Sequence, residues 1–348
     1  MTARYFKYTL NFKRPAGTSR GVMNRREVWF LIVSDPMNKI SGIGEIAPLP
    51  GLSPETGSGF EEKISAVAGD ISNYQYWIDE GLQDFPSIRF GLETAIKDFE
   101  SGGKRVLFRS AFAQGKAGIP INGLVWMGDA DFMKKQVAAK IEAGFRCIKL
   151  KIGAIDFDDE LNILKSIRKD FPADVLELRV DANGALDPKA ASGVMKQLAD
   201  LEIHSIEQPI EKGQWKEMTD LVNQTILPIA LDEELIGINR RDEKIALLLS
   251  ILPDYIILKP SLHGGFAGCS EWIELAENLN IGWWITSALE SNIGLNAIAQ
   301  WTATFKNPMP QGLGTGQLFT NNIHSPLEIK NAALDFNPTK SWDTSLFN

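Results

Sequence analysis

Cysteine is nearly absent from this chain of 348 residues, and Cys147 and Cys269, the two that occur, make neither a disulfide framework nor a zinc motif. Histidine is almost as scarce. His204, His263 and His324 fall off the positions singled out below, so a zinc centre is not expected. No cluster of lysine and arginine has the length of a nucleic-acid or membrane patch, and the formal net charge is −8. No run approaches the ~20 apolar residues of a membrane span, and the N-terminus lacks the apolar core of a signal peptide. These absences leave a cytoplasmic protein, with neither nucleic acid nor membrane as partner, as the expectation.

What is present is an apolar share of 44% beside 23% charged residues, enough for a large core. The length exceeds one ordinary domain and suits an α/β barrel with a smaller attached lobe. Residues 4–12, 26–33 and 40–46 read as extended segments, with a breaker-rich mobile loop expected over 14–21 and a second loop from 47 to 54. Helical spacing of apolar positions follows over about 61–80 and 86–99. Strands and then helices make an α+β lobe over residues 1–115.

Over 116–320 the rhythm becomes strand, helix, strand, with strands expected at 119–125, 146–152, 175–181, 203–207, 229–232, 255–259 and 282–287, and a short eighth one near 311–316. So many alternating units predict a closed parallel barrel. Residues 321–348 lack a helical period and are expected to pack back on the first lobe.

One strand carries an unusual load. In Arg146-Cys147-Ile148-Lys149-Leu150-Lys151, alternation sets Cys147, Lys149 and Lys151 on one face and Ile148 and Leu150 on the other. Burying an ammonium costs several kcal/mol unless it is paired. Alone, this segment reads as an ion-paired edge strand. Downstream, however, Asp181, Glu207, Asp232 and Lys259 follow Lys151 at intervals of 25 to 30 residues, each at an expected strand end. Barrel enzymes carry their catalytic groups at strand C-termini. Three carboxylates converging there would repel one another without a cation between them, and hard oxygen donors favour Mg²⁺. Glu233 or Glu234, next along from Asp232, is the alternative third ligand. Glu45 and Glu290 read equally well as exposed charges, and Trp283 and Trp284 as packing.

Lys149-Leu150-Lys151, Val180-Asp181-Ala182-Asn183-Gly184, Ile206-Glu207-Gln208-Pro209, Leu231-Asp232-Glu233 and Leu258-Lys259-Pro260 together resemble the enolase superfamily, muconate-lactonising subgroup. The likeness extends to Gly44-Glu45-Ile46-Ala47-Pro48 in the first lobe and covers essentially the whole chain. It implies an α/β fold: a modified (β/α)8, or (β/α)7β, barrel under an N-terminal α+β capping domain. It also implies Mg²⁺, with Mn²⁺ able to substitute, on Asp181, Glu207 and Asp232. Lys151 and Lys259 would then be the catalytic pair facing each other across a small-molecule carboxylate. Lys149, Asn183 and Ser287 would stand beside the metal or the substrate, with Arg179 a charge neighbour.

Reactions vary within the subgroup, so the motif leaves the substrate open. Dipeptide epimerases usually carry an Asp-x-Asp pair at the eighth strand, whereas Gly312-Leu313-Gly314-Thr315-Gly316 contains no acid. Ser287-Ala288-Leu289-Glu290-Ser291 resembles instead the enzymes that dehydrate a succinyl-hydroxycyclohexadiene carboxylate to o-succinylbenzoate in menaquinone biosynthesis. That lyase reaction is the expected one, ahead of epimerisation, N-acylamino-acid racemisation or cycloisomerisation. A non-catalytic binding protein on the same scaffold is the competing class, and two buried lysines without a task argue against it. The oligomeric state is not readable.

Overall fold

The computed structural model describes residues 1–348 apart from 19–20, 36, 127–129, 154–155, 225 and 348. A three-stranded antiparallel meander comes first: β1 (Thr2–Thr18), β2 (Gly21–Asp35) and β3 (Ile40–Ile46). The loop expected at 14–21 is therefore mostly strand, with residues 19 and 20 outside the described part. Its Pro15 is accommodated by a register irregularity between Asn11 and Ala16, after which the ladder resumes and takes in Gly17 and Gly21.

Helices α1 (Phe60–Gly69), α2 (Tyr74–Tyr76) and α3 (Pro86–Glu100) cover one face of this sheet. The single helix expected over 61–80 is broken into α1, a 3₁₀ turn, α2 and a π turn. Gly69, Asp70 and Asn73 favour the break, and the Asp70 carboxylate accepts from the Trp77 indole at 3.2 Å, stabilising it. Helix α3 lies directly on β3. A Cβ at Gly42 or Gly44 would collide with the backbone of Ala95 or Gly91, so only glycine permits this approach.

The barrel follows. Its strands are β5 (Gly123–Val125), β6 (Cys147–Lys151), β7 (Glu177–Asp181), β8 (Ser205–Glu207), β9 (Ile229–Leu231), β10 (Tyr255–Leu258) and β11 (Gly282–Ile285), parallel and in sequence order. Isolated parallel bridges from Gln311 to Ile121 and from Gly312 to Thr286 connect the two edges. The eighth strand is thus only two residues long. The segment expected as one strand over 119–125 is divided, since β4 (Ile119–Pro120) pairs with the C-terminal hairpin instead.

Between the barrel strands lie α4 (Ala130–Glu142), α5 (Phe157–Asp170), α6 (Pro188–Ala199), α7 (Trp215–Gln224), α8 (Arg241–Ile251), α9 (Gly265–Asn278) and α10 (Asn292–Thr302). Their apolar stripes bury the outward faces of the strands, including Ile148, Leu150, Leu178, Val180 and Ile206. Among the described residues no helix is long and apolar enough to cross a membrane.

After the barrel, β12 (Leu327–Lys330) and β13 (Ala333–Phe336) form a hairpin on β4. The last residues return to the first lobe, where Phe347 packs edge-on against Phe30 at 5.0 Å and Asn321 accepts from the Asn11 amide at 2.8 Å.

Candidate active site at the barrel mouth

The inward face of β6 carries Cys147, Lys149 and Lys151, as alternation predicts, at increasing height in the barrel. Cys147 sits at the base, where burial pushes its thiol pKa well up and its Sγ donates to Glu177 at 3.2 Å. Arg179, the inward residue below Asp181, also belongs to this base. It pairs with Glu177 at 2.7 Å and lies over the ring of buried Trp284 at 4.4 Å. Trp283 and Trp284 are packing residues, as expected.

At the mouth, parallel pairing sets Lys151 beside Asp181 and Asp181 beside Glu207. Lys149 Nζ lies 3.1 Å from Asp181 Oδ2 and 2.6 Å from Glu207 Oε2. Lys151 Nζ donates to Asp181 Oδ2 at 3.0 Å and to Asn183 Oδ1 at 2.5 Å. Across the barrel, Lys259 donates to Asp232 Oδ2. Asn183, held at φ +45°, turns its other amide group to Glu233 Oε1 at 3.0 Å.

Electrostatics in this buried cluster follow from burial and partners. Burial opposes the charge on Lys149, but Asp181 and Glu207 outweigh it and hold the ammonium well above its usual range. Burial likewise favours neutral carboxyls, yet Lys149 and Lys151 pull Asp181 below the ordinary range, and Lys259 does the same for Asp232. Glu207 goes the other way, because burial and the neighbouring Asp181 charge both disfavour its ionisation.

The donor set suits a hard cation. Glu207 Oε1 and Asp232 Oδ1 are buried carboxylate oxygens without a hydrogen-bond partner among the described residues. Asp181, Glu207 and Asp232 come from three neighbouring strands and offer only oxygen. As placed, no group of three acidic, His or Cys side chains converges to ligating distance among the described residues; the ammoniums of Lys149, Lys151 and Lys259 are the cations these carboxylates meet. Asp232 is wholly buried behind Lys259, while Glu233 reaches the cavity wall. Glu234 is engaged elsewhere, accepting from Gly213 N at 2.8 Å and from the Gln208 amide at 3.1 Å.

A cavity of about 240 Å³ opens over these groups, its walls including Lys149, Lys151, Asp181, Glu207 and Lys259. The roof is apolar and belongs to the first lobe: Val22 and Met23 from the start of β2, with Leu49, Pro50 and Leu52 from the loop after β3. Ser287 lies in the wall, hydrogen-bonded to the Thr315 hydroxyl at 2.5 Å.

Two carboxylates that read as exposed charges are fully buried. Glu45 accepts from Ser291 N at 2.8 Å and Gly294 N at 2.9 Å, at the start of α10. Glu290 accepts from Ser261 Oγ at 2.5 Å and Ala288 N at 2.7 Å. Gln208 was not singled out by its sequence. Its buried side chain binds the amides of Asp232 and Glu234, and its only sequence signal is its place directly after Glu207. His204 is satisfied by Ser205 Oγ at 2.9 Å, and exposed His324 meets the Ser341 carbonyl at 3.2 Å.

Similarity to known proteins decides the family. A profile described as Enolase C-terminal domain-like matches residues 132–339, and one described as MenC, N-terminal domain, matches residues 1–99. The o-succinylbenzoate synthase of Desulfotalea psychrophila is 47% identical over 96% of this chain and 98% of its own length. The chain belongs to the o-succinylbenzoate synthase family of the enolase superfamily. The crystal structure of MenC from Desulfotalea psychrophila superposes with a TM-score of 0.85 at 42% identity, covering 96% of this chain and 99% of that one. The muconate lactonizing enzyme of Pseudomonas fluorescens shares the fold, with a TM-score of 0.81 at 22% identity over 99% of this chain and 96% of that one. For a synthase-family member, the acid-free segment at 312–316 now has a place. Gly312 ends the eighth strand and the rest forms the turn after it, closing the cavity with backbone and hydroxyl groups instead of carboxylates.

Proposed function

We propose that this chain dehydrates a succinyl-hydroxycyclohexadiene carboxylate to o-succinylbenzoate, as a Mg²⁺-dependent lyase of the cytoplasm serving menaquinone biosynthesis. The observation that carries this reading is the placement of Lys151 and Lys259 in one apolar-roofed cavity with Asp181 and Glu207. Residues 1–115 act as the cap, 116–320 as the catalytic barrel and 321–348 as the strap between them.

Asp181, Glu207 and Asp232 would hold the ion. Bound Mg²⁺ supplies positive charge against the substrate carboxylate, which makes its α-proton removable. Lys151, as the neutral amine, takes that proton, and Asn183 and Asp181 orient it. In a syn elimination the β-hydroxyl departs from the same face, so the Lys151 ammonium returns its proton to the leaving oxygen and water forms. The electrons of the broken C–H bond become the new ring double bond, and the ring turns aromatic. Lys259, on the opposite side, remains an ammonium and stabilises the delocalised negative charge and the ring face. The apolar roof excludes water from this step.

The experiment is Lys151→Ala and Lys259→Ala, each assayed for o-succinylbenzoate formation and for exchange of the substrate α-proton with solvent deuterium. Lys151→Ala is expected to lose both reactions. Retained dehydration in Lys151→Ala, with loss only in Lys259→Ala, would reverse the two roles.

A further inference from the structure

Lys259 ends β10, and its long side chain has four rotatable bonds, so the position of its ammonium depends on how firmly its backbone is set. Both polar groups of that backbone are bonded within one turn. The Lys259 N–H donates to His263 Nδ1 at 3.0 Å. The Lys259 carbonyl accepts from Leu262 N at 2.7 Å and from His263 N at 3.0 Å. His263 therefore grips Lys259 at both ends, once through its ring and once through its amide.

The rest of the turn is built to hold this. Pro260 fixes its own φ, directly after Lys259. Gly264 and Gly265, at φ +83° and +73°, carry the chain away from His263 into α9. The imidazole is buried, and burial pushes its pKa down to about 3, so the ring stays neutral with Nδ1 as acceptor. Its Nε2 meets no partner among the described residues, which leaves the Nδ1 bond as the polar contact that orients the ring.

We infer that His263 is a positioning residue for Lys259: its Nδ1 fixes the backbone from which the ammonium reaches the substrate. This rests on the role proposed above for Lys259, and the experiment separates the two.

Three single variants and one double variant are compared for kcat, KM, Mg²⁺ affinity and thermal unfolding. His263→Leu removes the acceptor, His263→Asn keeps one near the same place, and Lys259→Ala removes the group being positioned. His263→Leu should lower kcat about ten- to a hundredfold, the effect of misplacing a reacting group by ~1 Å, with Mg²⁺ affinity and KM nearly unchanged. His263→Asn should recover most of that loss. His263→Leu added to Lys259→Ala should cost nothing further. A wild-type kcat in His263→Leu overturns the inference, as does equal loss in the Leu and Asn variants. Full activity in Lys259→Ala overturns instead the role of Lys259. Should the Leu variant fail to fold, ¹⁵N NMR of the wild-type histidines still decides. An unprotonated Nδ1 and protonated Nε2 at His263 are required, and the reverse tautomer sinks the idea.

Discussion

Asp232 and Glu233 are adjacent in sequence but differ in what surrounds them. Asp232 is buried, holds Lys259 with one oxygen and leaves the other without a partner among the described residues, whereas Glu233 lies in the cavity wall and receives the Asn183 amide. A buried carboxylate oxygen left unpartnered costs roughly 1–3 kcal/mol, a cost that a bound cation would remove. If Asp232 is the third ligand, Mg²⁺ at a hundredfold excess over its Kd should raise wild-type stability by about 2.7 kcal/mol. Asp181→Asn, Glu207→Gln and Asp232→Asn should each abolish that gain, while Glu233→Gln keeps it. Calorimetric melts with Mg²⁺ and with a chelator measure this. Lost stabilisation in Glu233→Gln alone would move the ligand by one position.

At the level of elements, three helices begin on a carboxylate supplied from elsewhere in the chain. Glu55 accepts from Ser87 N at the start of α3, Glu93 from Phe266 N and Ala267 N at the start of α9, and Glu45 from Ser291 N and Gly294 N at the start of α10. The last two join the cap to barrel helices, where exposed amides and the helix dipole favour an anion. Burial nevertheless dominates. It pushes Glu45 and Glu93 up to about 7 and Glu55 up to about 8. Glu290 repels Glu45 and adds to its rise, while Arg89 and Lys97 draw Glu93 back.

A carboxyl whose folded pKa lies above its unfolded value binds more protons in the native state. Its contribution to stability is greatest below the unfolded pKa, near 4.5, and falls as pH rises through about 7 to 8. Thermal melts of wild type and of Glu45→Gln between pH 5 and 8 should therefore converge or cross, wild type losing on the order of 1–3 kcal/mol relative to the variant. Parallel curves would show that Glu45 does not titrate in this window.

For the whole molecule, the cavity exists only because the two lobes meet. Barrel residues supply its charged floor, and Val22, Met23, Leu49, Pro50 and Leu52 supply the roof. In the proposed reaction, metal affinity and substrate fit would thus be set by different lobes. Leu49→Ala with Leu52→Ala should lower kcat/KM about tenfold or more by admitting water and loosening the substrate, with Mg²⁺ affinity unchanged. Steady-state kinetics beside a Mg²⁺ titration test this, and a matching loss of metal binding would count against the division.

The alternation in 147–151 and the even spacing of strand-end charges were enough to place Lys149, Lys151, Asp181 and Glu207 on one cavity wall, because strand period and β/α repeat length are local properties. The alternating strand and helix rhythm was enough for the barrel itself. The breaks were not legible. A register irregularity at Asn11–Ala16 and a first strand divided between two sheets depend on which partner strand is nearby. Glu45, Glu290, Gln208 and His263 also look like ordinary polar residues in the chain. Their roles arise from groups far away in sequence, or from a turn that brings a ring back to its own strand end. Periodicity determines which face a side chain occupies. Only the packed lobes decide which backbone amide or helix terminus waits on that face, because burial and long-range pairing have no local signature.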